Sequence, residues 1–506
     1  MPTSTVVSRP FAASAGAASA LLGAAAGHLV AGATDPATSP VLAIGSTVID
    51  LTPTPVKEWA VGTFGTKDKP LLIGSVLLGA LVLAAVAGLV ARTRLRAGAG
   101  MLAGLAAATG AAALSRPSAR PLDLLPALVT AAVGVTALVL LVRPGDRRHG
   151  GVLPDAGASR RGFLAAVALG AAALAGTGEW LARARTGPGS LTLPPAADPA
   201  PPLATGLEGA HPGISPLRTP TAEFYRVDTR LALPTIDVDS WRLTIDGDVG
   251  RTVSLGLDDL LAMDLVERDI TLTCVSNEVG GAYVGSARWL GVPIGDLLDL
   301  AGIADTRADQ LFSTDVDGFT VSTPLEVALD GRDTLVAVGM NGAPLPVQHG
   351  FPARLVTPGL YGFVGATKWL SRLTLTTYDE AQAYWTRRDW ATDAPIKVAA
   401  RIDTPRPLST SKAGRLVIGG VAWAQHRGIA RVEVQVDGGA WREATLGPDV
   451  GVDYWRQWFL PWDATPGSHE LAARATTLDG EVQTAVRTTP FPDGASGIQQ
   501  IVVSVA

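Results

Sequence analysis

Polar and apolar positions follow two different rules along this chain, and the rule changes near residue 185. Before that point apolar residues run together. Five segments, about 11–33, 70–91, 98–114, 122–142 and 162–182, reach or approach the roughly 20 apolar residues that a bilayer-crossing helix needs. The third is short and rich in Ala and Gly. After residue 185 the runs give way to a stretch dense in Pro, Gly and Ala up to residue 222, which reads as an extended spacer. WRLTIDG (241–247) then alternates as a strand does. SLGLDDLLAM (254–263) and VPIGDLLDLAGI (292–303) carry helical spacing. LFSTDVDGFTVSTPLEVAL and LVAVGMNGAPLP read as strands and hairpins, with Asn341-Gly342 as a turn. From about 395 five strand-like segments, from RLVIGGVAWA to IQQIVVSV, follow one another at regular spacing.

The fold expected is therefore an α-helical membrane anchor of about five helices, an α+β domain, and an all-β sandwich of immunoglobulin-like kind. The boundaries expected are 1–185 for the anchor, 186–222 for the linker, 223–394 for the α+β domain and 395–506 for the sandwich.

Composition supports the anchor: the chain is 47% hydrophobic and 17% charged. Its net charge of −5 and the lack of a basic stripe argue against nucleic acid as a partner. Lys and Arg in short connections set orientation. Arg92, Arg94 and Arg96 in ARTRLRAG, with Arg143, Arg147 and Arg148 in RPGDRRHGG, place those loops in the cytoplasm. The competing connections carry Lys57, Lys67, Lys69, Arg116 and Arg120, the lysines interleaved with acids. The bias puts the N-terminus inside and everything after 185 outside. SRRGFL (159–164) opens the last apolar segment; it reads either as cytoplasmic arginines stopping a helix or as an internal twin-arginine export signal. Of six histidines only His28 falls in a predicted span, which argues against a bis-histidine membrane haem.

Cys274, in TLTCVSNEVGG (271–281), is the only cysteine. An intramolecular disulfide and a multi-cysteine zinc site are excluded. A lone thiol is often a small buried hydrophobe. Here it ends a strand and precedes a polar, Gly-rich turn, where an atom can be presented. A nucleophile would need a base, for which His349 is the candidate. A soft thiolate holding a metal is the other option.

At FYRVDTRLALPTIDVDSWRLTIDG, TLTCVSNEVGG with ARWLGVPIGDLL, MNGAPLPVQHGFPARLVTPGLYGFVGATKWL and YWTRRDW, the chain resembles the sulfite oxidase family of molybdopterin-dependent oxidoreductases. The likeness runs from about 224 to 505 and leaves the anchor outside it. It implies a molybdenum–molybdopterin cofactor, one pterin per metal, with Cys274 as the protein's molybdenum ligand. It implies that His349, Arg354 and Lys368 hold the pterin and its phosphate. Phe224, Tyr225, Arg226 and Asp228 would run along the pterin, and Asp317 in VDGF is a further cofactor candidate. Arg226, Trp289 and Trp390 would face the reacting centre beside Cys274. The final β region resembles the family's dimerisation domain, so a homodimer is implied.

The sequence also departs from the family. The arginine expected five residues after the ligand cysteine is Val279, with Glu278 beside it. The expected tyrosine falls at Trp390, and the expected Asn-His pair after Arg226 is Val227-Asp228. Losing a cation and gaining a carboxylate weakens binding of a doubly charged oxyanion. The expectation is an exported, membrane-anchored enzyme transferring an oxygen atom on a small oxyanion or an S-oxide. Its electrons would pass through a separate partner, a cytochrome or a quinol-linked subunit. The rivals are a non-catalytic surface protein that binds a partner on a degenerate scaffold, and a cysteine hydrolase.

Overall fold

The computed structural model describes residues 8–64, 67–142, 160–185 and 191–506. The RPGDRRHGG connection lies outside the described residues, as do Ser159 and the side chains of Arg160 and Arg161 from the twin-arginine motif. The chain forms two compact units. One comprises residues 1–187 with Asp228–Ile236; the other comprises Pro188–Val227 with Asp237–Ala506.

Among the described residues of the first unit, four helices are long and apolar enough to cross a membrane: Arg9–Ala33, Asp68–Ala91, Leu95–Leu114 and Pro121–Val142. The fifth expected segment forms a helix, Arg160–Arg185, whose described side chains include the apolar stretch Ala166–Ala182. The connection 34–69, read as a loop, contains two more helices, Pro40–Leu51 and Thr54–Phe64. Pro40 starts the former at the position where a missing N–H costs nothing.

Helix Arg9–Ala33 packs against three others through glycine. A Cβ on Gly16 would run into the Ala84 carbonyl and the Gly88 backbone. One on Gly23 would lie 2.6 Å from the Thr130 carbonyl, and one on Gly32 would strike Gly178. Small residues allow such close backbone approach, as they do between membrane-crossing helices. Polar groups at the helix ends are paired: Arg116 donates to Asp35 at 2.9 Å. Lys69 donates to the Asp228 carboxylate at 3.1 Å and to the Arg230 carbonyl at 2.8 Å, holding Asp228–Ile236 within this unit.

The second unit begins with a strap. Residues 191–222, expected to be a spacer, pack onto this unit instead. The Leu207 N–H donates to Gln457 at 2.8 Å, the Ser215 N–H donates to Asp403 at 2.9 Å, and the Trp455 indole donates to the Leu217 carbonyl at 2.7 Å. Ile214 and Leu217 are buried. Proline suits such a strand-free strap because its backbone has no N–H to satisfy.

Two sheets form the α+β part. One orders Val266–Thr273, Val284–Pro293, Leu335–Met340 and Ala343–Pro344, with Arg354–Val356 also pairing with Leu335–Met340. The other orders Val253–Leu255, Leu243–Gly247, Leu370–Thr376, Gln310–Asp315 and Thr320–Pro324. The Asn341-Gly342 turn has positive φ at both residues, 53° and 80°, as a tight hairpin requires. Helix Ile294–Ala301 buries Ile294, Leu297, Leu298 and Ala301 on one face and ends at Gly302, φ 74°.

The C-terminal part is two sheets around one core. Ala399–Thr404, Gly414–Trp423, Arg456–Ala464 and Thr445–Leu446 form one. Thr410–Ser411, Gln499–Val505, Gly467–Thr477, Ile429–Val436 and Arg442–Glu443 form the other. Between them lie Ile418, Val432, Trp458 and Leu471, all fully buried.

Candidate active site

Cys274 sits just past the end of strand Val266–Thr273. Its N–H donates to the Tyr283 carbonyl at 2.9 Å, and its carbonyl accepts from the Asn277 N–H at 3.0 Å. Asn277 closes the loop by accepting from the Tyr283 N–H at 2.8 Å. The Val-Gly-Gly that follows is a steric requirement. A Cβ on Gly281 would lie 2.5 Å from the Asn277 side chain; Gly280 has φ 78° and abuts Gln499. The thiol so presented is half-buried. Burial raises its pKa, opposed by hydrogen bonds from Ser276 and by the charge of Lys368.

A group of cations and aromatics surrounds it. Tyr225 lies close enough to feel the charges of Cys274 and Arg354, and burial raises its phenol well above the usual range. Phe224 stacks on Tyr225 at 5.2 Å and meets His349 edge-on at 5.6 Å. Gly285 leaves room for that ring, since a Cβ there would be 3.0 Å from it. The His349 ring donates to the Thr221 carbonyl at 3.1 Å. Burial first, then the charges of Arg354, Lys368 and Arg226, holds its pKa down at about 4, so the ring is neutral. Gly350, φ 117°, lets His349, Arg354 and Lys368 crowd one turn: a Cβ there would touch both Arg354 and Lys368.

Arg354 is the most informative member. It is 6% exposed, and burial lowers its pKa to about 10. One nitrogen donates to the His349 carbonyl at 3.0 Å, and the guanidinium lies 4.9 Å over the Trp289 ring. Its Nε has no hydrogen-bond partner. A buried guanidinium with an unspent donor fits an anionic ligand. Phosphate, which takes planar donor pairs, is such a ligand.

The other expected residues are placed as follows. Arg226 is exposed and adds its charge at His349. Lys368 lies 4.7 Å from the Trp369 ring. Asp317 is in a turn whose N–H groups are gathered by the Asp315 carboxylate, and the Val316 N–H donates to the Trp369 carbonyl, which brings that turn beside Lys368. Trp289 is fully buried and spends its indole N–H on the Ile270 carbonyl at 3.2 Å. It is thus a floor beneath Arg354 and not an exposed wall. Glu278 is exposed. Asp228 belongs to the first unit, where it pairs with Lys69 at 3.1 Å.

Trp390 shares a buried cluster with Val275 and Tyr361. It meets Phe363 at 5.4 Å and Trp385 at 5.7 Å, and its Nε1 is buried without a hydrogen-bond partner. Tyr361 was not singled out from sequence. Burial pushes its pKa up to about 12, and the Cys274 charge adds to the rise. The signal for it is its place in LYGFVGATK, inside the stretch that carries the family resemblance.

Comparison with known proteins adds the following. Residues 230–385 match the family model described as an oxidoreductase molybdopterin binding domain. The chain is 33% identical over 307 residues to the mitochondrial sulfite oxidase of Homo sapiens, covering 52% of this chain and 56% of that one. It is 28% identical over 304 residues to the inducible nitrate reductase [NADH] 2 of Glycine max, covering 47% and 34%. The chain spans about half or less of the length of these two relatives. Among solved structures, the sulfane dehydrogenase SoxCD from Paracoccus pantotrophus shares the fold, with a TM-score of 0.50 and 24% identity over 57% of this chain and 83% of that one.

Proposed function

We propose that the chain, which is similar over residues 230–385 to molybdopterin-binding oxidoreductases and over about half its length to sulfite oxidases, is a membrane-anchored, exported member of the sulfite oxidase family that carries out oxygen-atom transfer with Cys274 as its molybdenum ligand. The observation that carries the cofactor assignment is Arg354, a buried cation with an unpaired donor that shares Tyr225 as a neighbour with the half-buried thiol. When bound, molybdenum–molybdopterin supplies the two-electron chemistry in which X and water give XO, two protons and two electrons, or the reverse.

The chain's own residues bind and orient. Arg354 and Lys368 take the phosphate, the first as a planar donor and the second as a point charge. Neutral His349, Tyr225 and Phe224 pack along the pterin. Arg226 supplies positive charge at the approach, and Trp390 closes the apolar side. A small oxyanion or an S-oxide is the substrate class. The electrons leave or enter through a separate carrier, and the C-terminal sandwich, read as immunoglobulin-like, is a dimerisation surface.

The Lys69–Asp228 ion pair supports the membrane topology. Both residues must lie on one side of a bilayer, and helices Asp68–Ala91, Leu95–Leu114, Pro121–Val142 and Arg160–Arg185 lie between them in sequence. Four crossings satisfy that condition and three do not. This favours Arg160–Arg185 as a fifth span, with the loop bias placing Asp228 outside the cytoplasm.

The test is molybdenum content and released pterin in wild type and Cys274→Ala, made in a host that supplies molybdopterin. Wild type should hold about one metal per chain, since the site offers a single thiolate. Cys274→Ala should lose activity and shift the metal's absorption. A properly assembled wild type holding neither metal nor pterin sinks the proposal.

A further inference from the structure

The loop before the last strand of the sandwich is built unlike the others. The Thr488 N–H donates to the Ser496 carbonyl at 3.0 Å, which closes the loop at its base, and the Gly494 N–H donates to the Pro490 carbonyl at 2.7 Å within it. The loop is then fastened to residues 391–397, where the α+β part passes into the sandwich. The Ala391 N–H donates to the Pro492 carbonyl at 3.2 Å. Lys397 donates to Asp493 at 2.9 Å and to the Gly494 carbonyl at 2.6 Å.

What the loop is fastened against matters more. Gly494, φ 99°, lies flat on Tyr361: a Cβ there would be 2.5 Å from the ring. Phe491 meets Trp390 edge-on at 5.2 Å and is still 39% exposed. Tyr361 lines one cavity with Thr273, Asn277 and Glu278 of the Cys274 loop, with Lys397, and with Ser496 of this loop, and Gly362, the next residue, lies against the Thr273 carbonyl. The unpartnered indole N–H of Trp390 is buried in this same aromatic group. One face of a large ring is thus left open next to a buried, unspent donor, on a side where Lys397 is already neutralised by Asp493.

We propose that the Thr488–Ser496 loop is a wall of the candidate active site and that Phe491 is a specificity-determining residue. It gives the approach to Cys274 an aromatic side, which favours a neutral, organically substituted oxide over a hydrated inorganic dianion. This rests on the reading of Cys274 as the centre of the site. Aromatic surface recognises an apolar substituent through ring contacts and offers nothing to a dianion's hydration shell. The exposed carboxylate of Glu278 on the Cys274 loop acts in the same direction.

The chain's single cysteine makes the test clean, because any thiol label reports Cys274 alone. Full chain made without molybdopterin is treated with N-phenylmaleimide and with N-methylmaleimide, and the two labelling rates are compared by mass spectrometry. The chemistry is the same, so their ratio measures aromatic preference along the approach. Phe491→Ala should lower that ratio roughly two- to tenfold, the worth of one aromatic pair. Phe491→Leu, which keeps the apolar bulk, should lower it too, and Lys397→Met should lower it by releasing the loop while Phe491 stays. An unchanged ratio in Phe491→Leu and Lys397→Met overturns the proposal. Molybdenum-loaded wild type is labelled in parallel. If it reacts as fast as the empty chain, the ligand role of Cys274 fails. If it is protected while the ratio stays flat, only the wall fails.

Discussion

Replacing Arg354 by Met should move stability in opposite directions with and without the cofactor. Burial brings the guanidinium pKa from its ordinary 12.5 to about 10. At about 1.4 kcal/mol for each tenfold change in proton affinity, holding that charge in the empty site costs roughly 3 kcal/mol. Met fills the same stem volume and removes the charge. It also removes the bond to the His349 carbonyl, worth about 1 kcal/mol, and the contact with Trp289, worth about 0.5–1 kcal/mol. The empty variant should therefore gain on the order of 1 kcal/mol, a Tm rise of about 2–4 °C. In the loaded protein Arg354 is matched by an anion, and its loss should cost about 2–5 kcal/mol. The assay is thermal unfolding of both proteins in detergent, from hosts able and unable to make molybdopterin. Equal destabilisation of both forms would refute the argument, because Arg354 would then be structural and not a ligand-holding charge.

Other outcomes follow from the same site. His349 has a folded pKa near 4 against an ordinary 6.5. Above pH 6.5 it is neutral folded or unfolded and contributes nothing. As pH falls from 6.5 to 4 the unfolded chain takes up a proton that the folded chain refuses, so roughly 3 kcal/mol of stability is lost. His349→Gln should flatten that acid arm in pH-dependent denaturant unfolding, with no change above pH 7. Gly281→Ala pushes a Cβ into Asn277 and should cost about 1–3 kcal/mol, read as a lower Tm together with faster alkylation of Cys274. Lys69→Met removes the Lys69 ion pair from Asp228, and protease cutting within 228–236 should become faster than in wild type; an unaltered cutting rate would show that the ion pair does not hold this segment.

Much of this arrangement was legible in the sequence where local pattern and chemistry agree. TLTCVSNEVGG announced a strand end, a presented thiol and a turn, and the structure supplies the reason for each glycine. The hairpin at Asn341-Gly342 and the helix ending at Gly302 carry their own backbone signals. The failures share a different character. The strap 191–222 has linker composition, yet its Leu207, Ser215 and Leu217 backbones meet partners at positions 457, 403 and 455. No local pattern encodes a partner so distant. Asp228 stands two residues from Arg226, and its bond to Lys69, 159 positions away, is likewise carried by no local pattern. Trp289 carries the residue type of a pocket wall, and only tertiary packing shows it to be a floor. The helices of 40–64 are short and carry charges, so a hydropathy reading passes over them.

The glycine contacts of helix Arg9–Ala33 bear on how this part of the molecule can change over time. Its inward positions at Gly16, Gly23 and Gly32 are barred to every larger side chain by a neighbouring backbone. Gly74, Gly79 and Gly100 on other helices have open space around them and carry no such bar. Neutral drift on this helix is then confined to its outward side, and three near-invariant small positions would persist in descendants long after the outward face had lost any likeness.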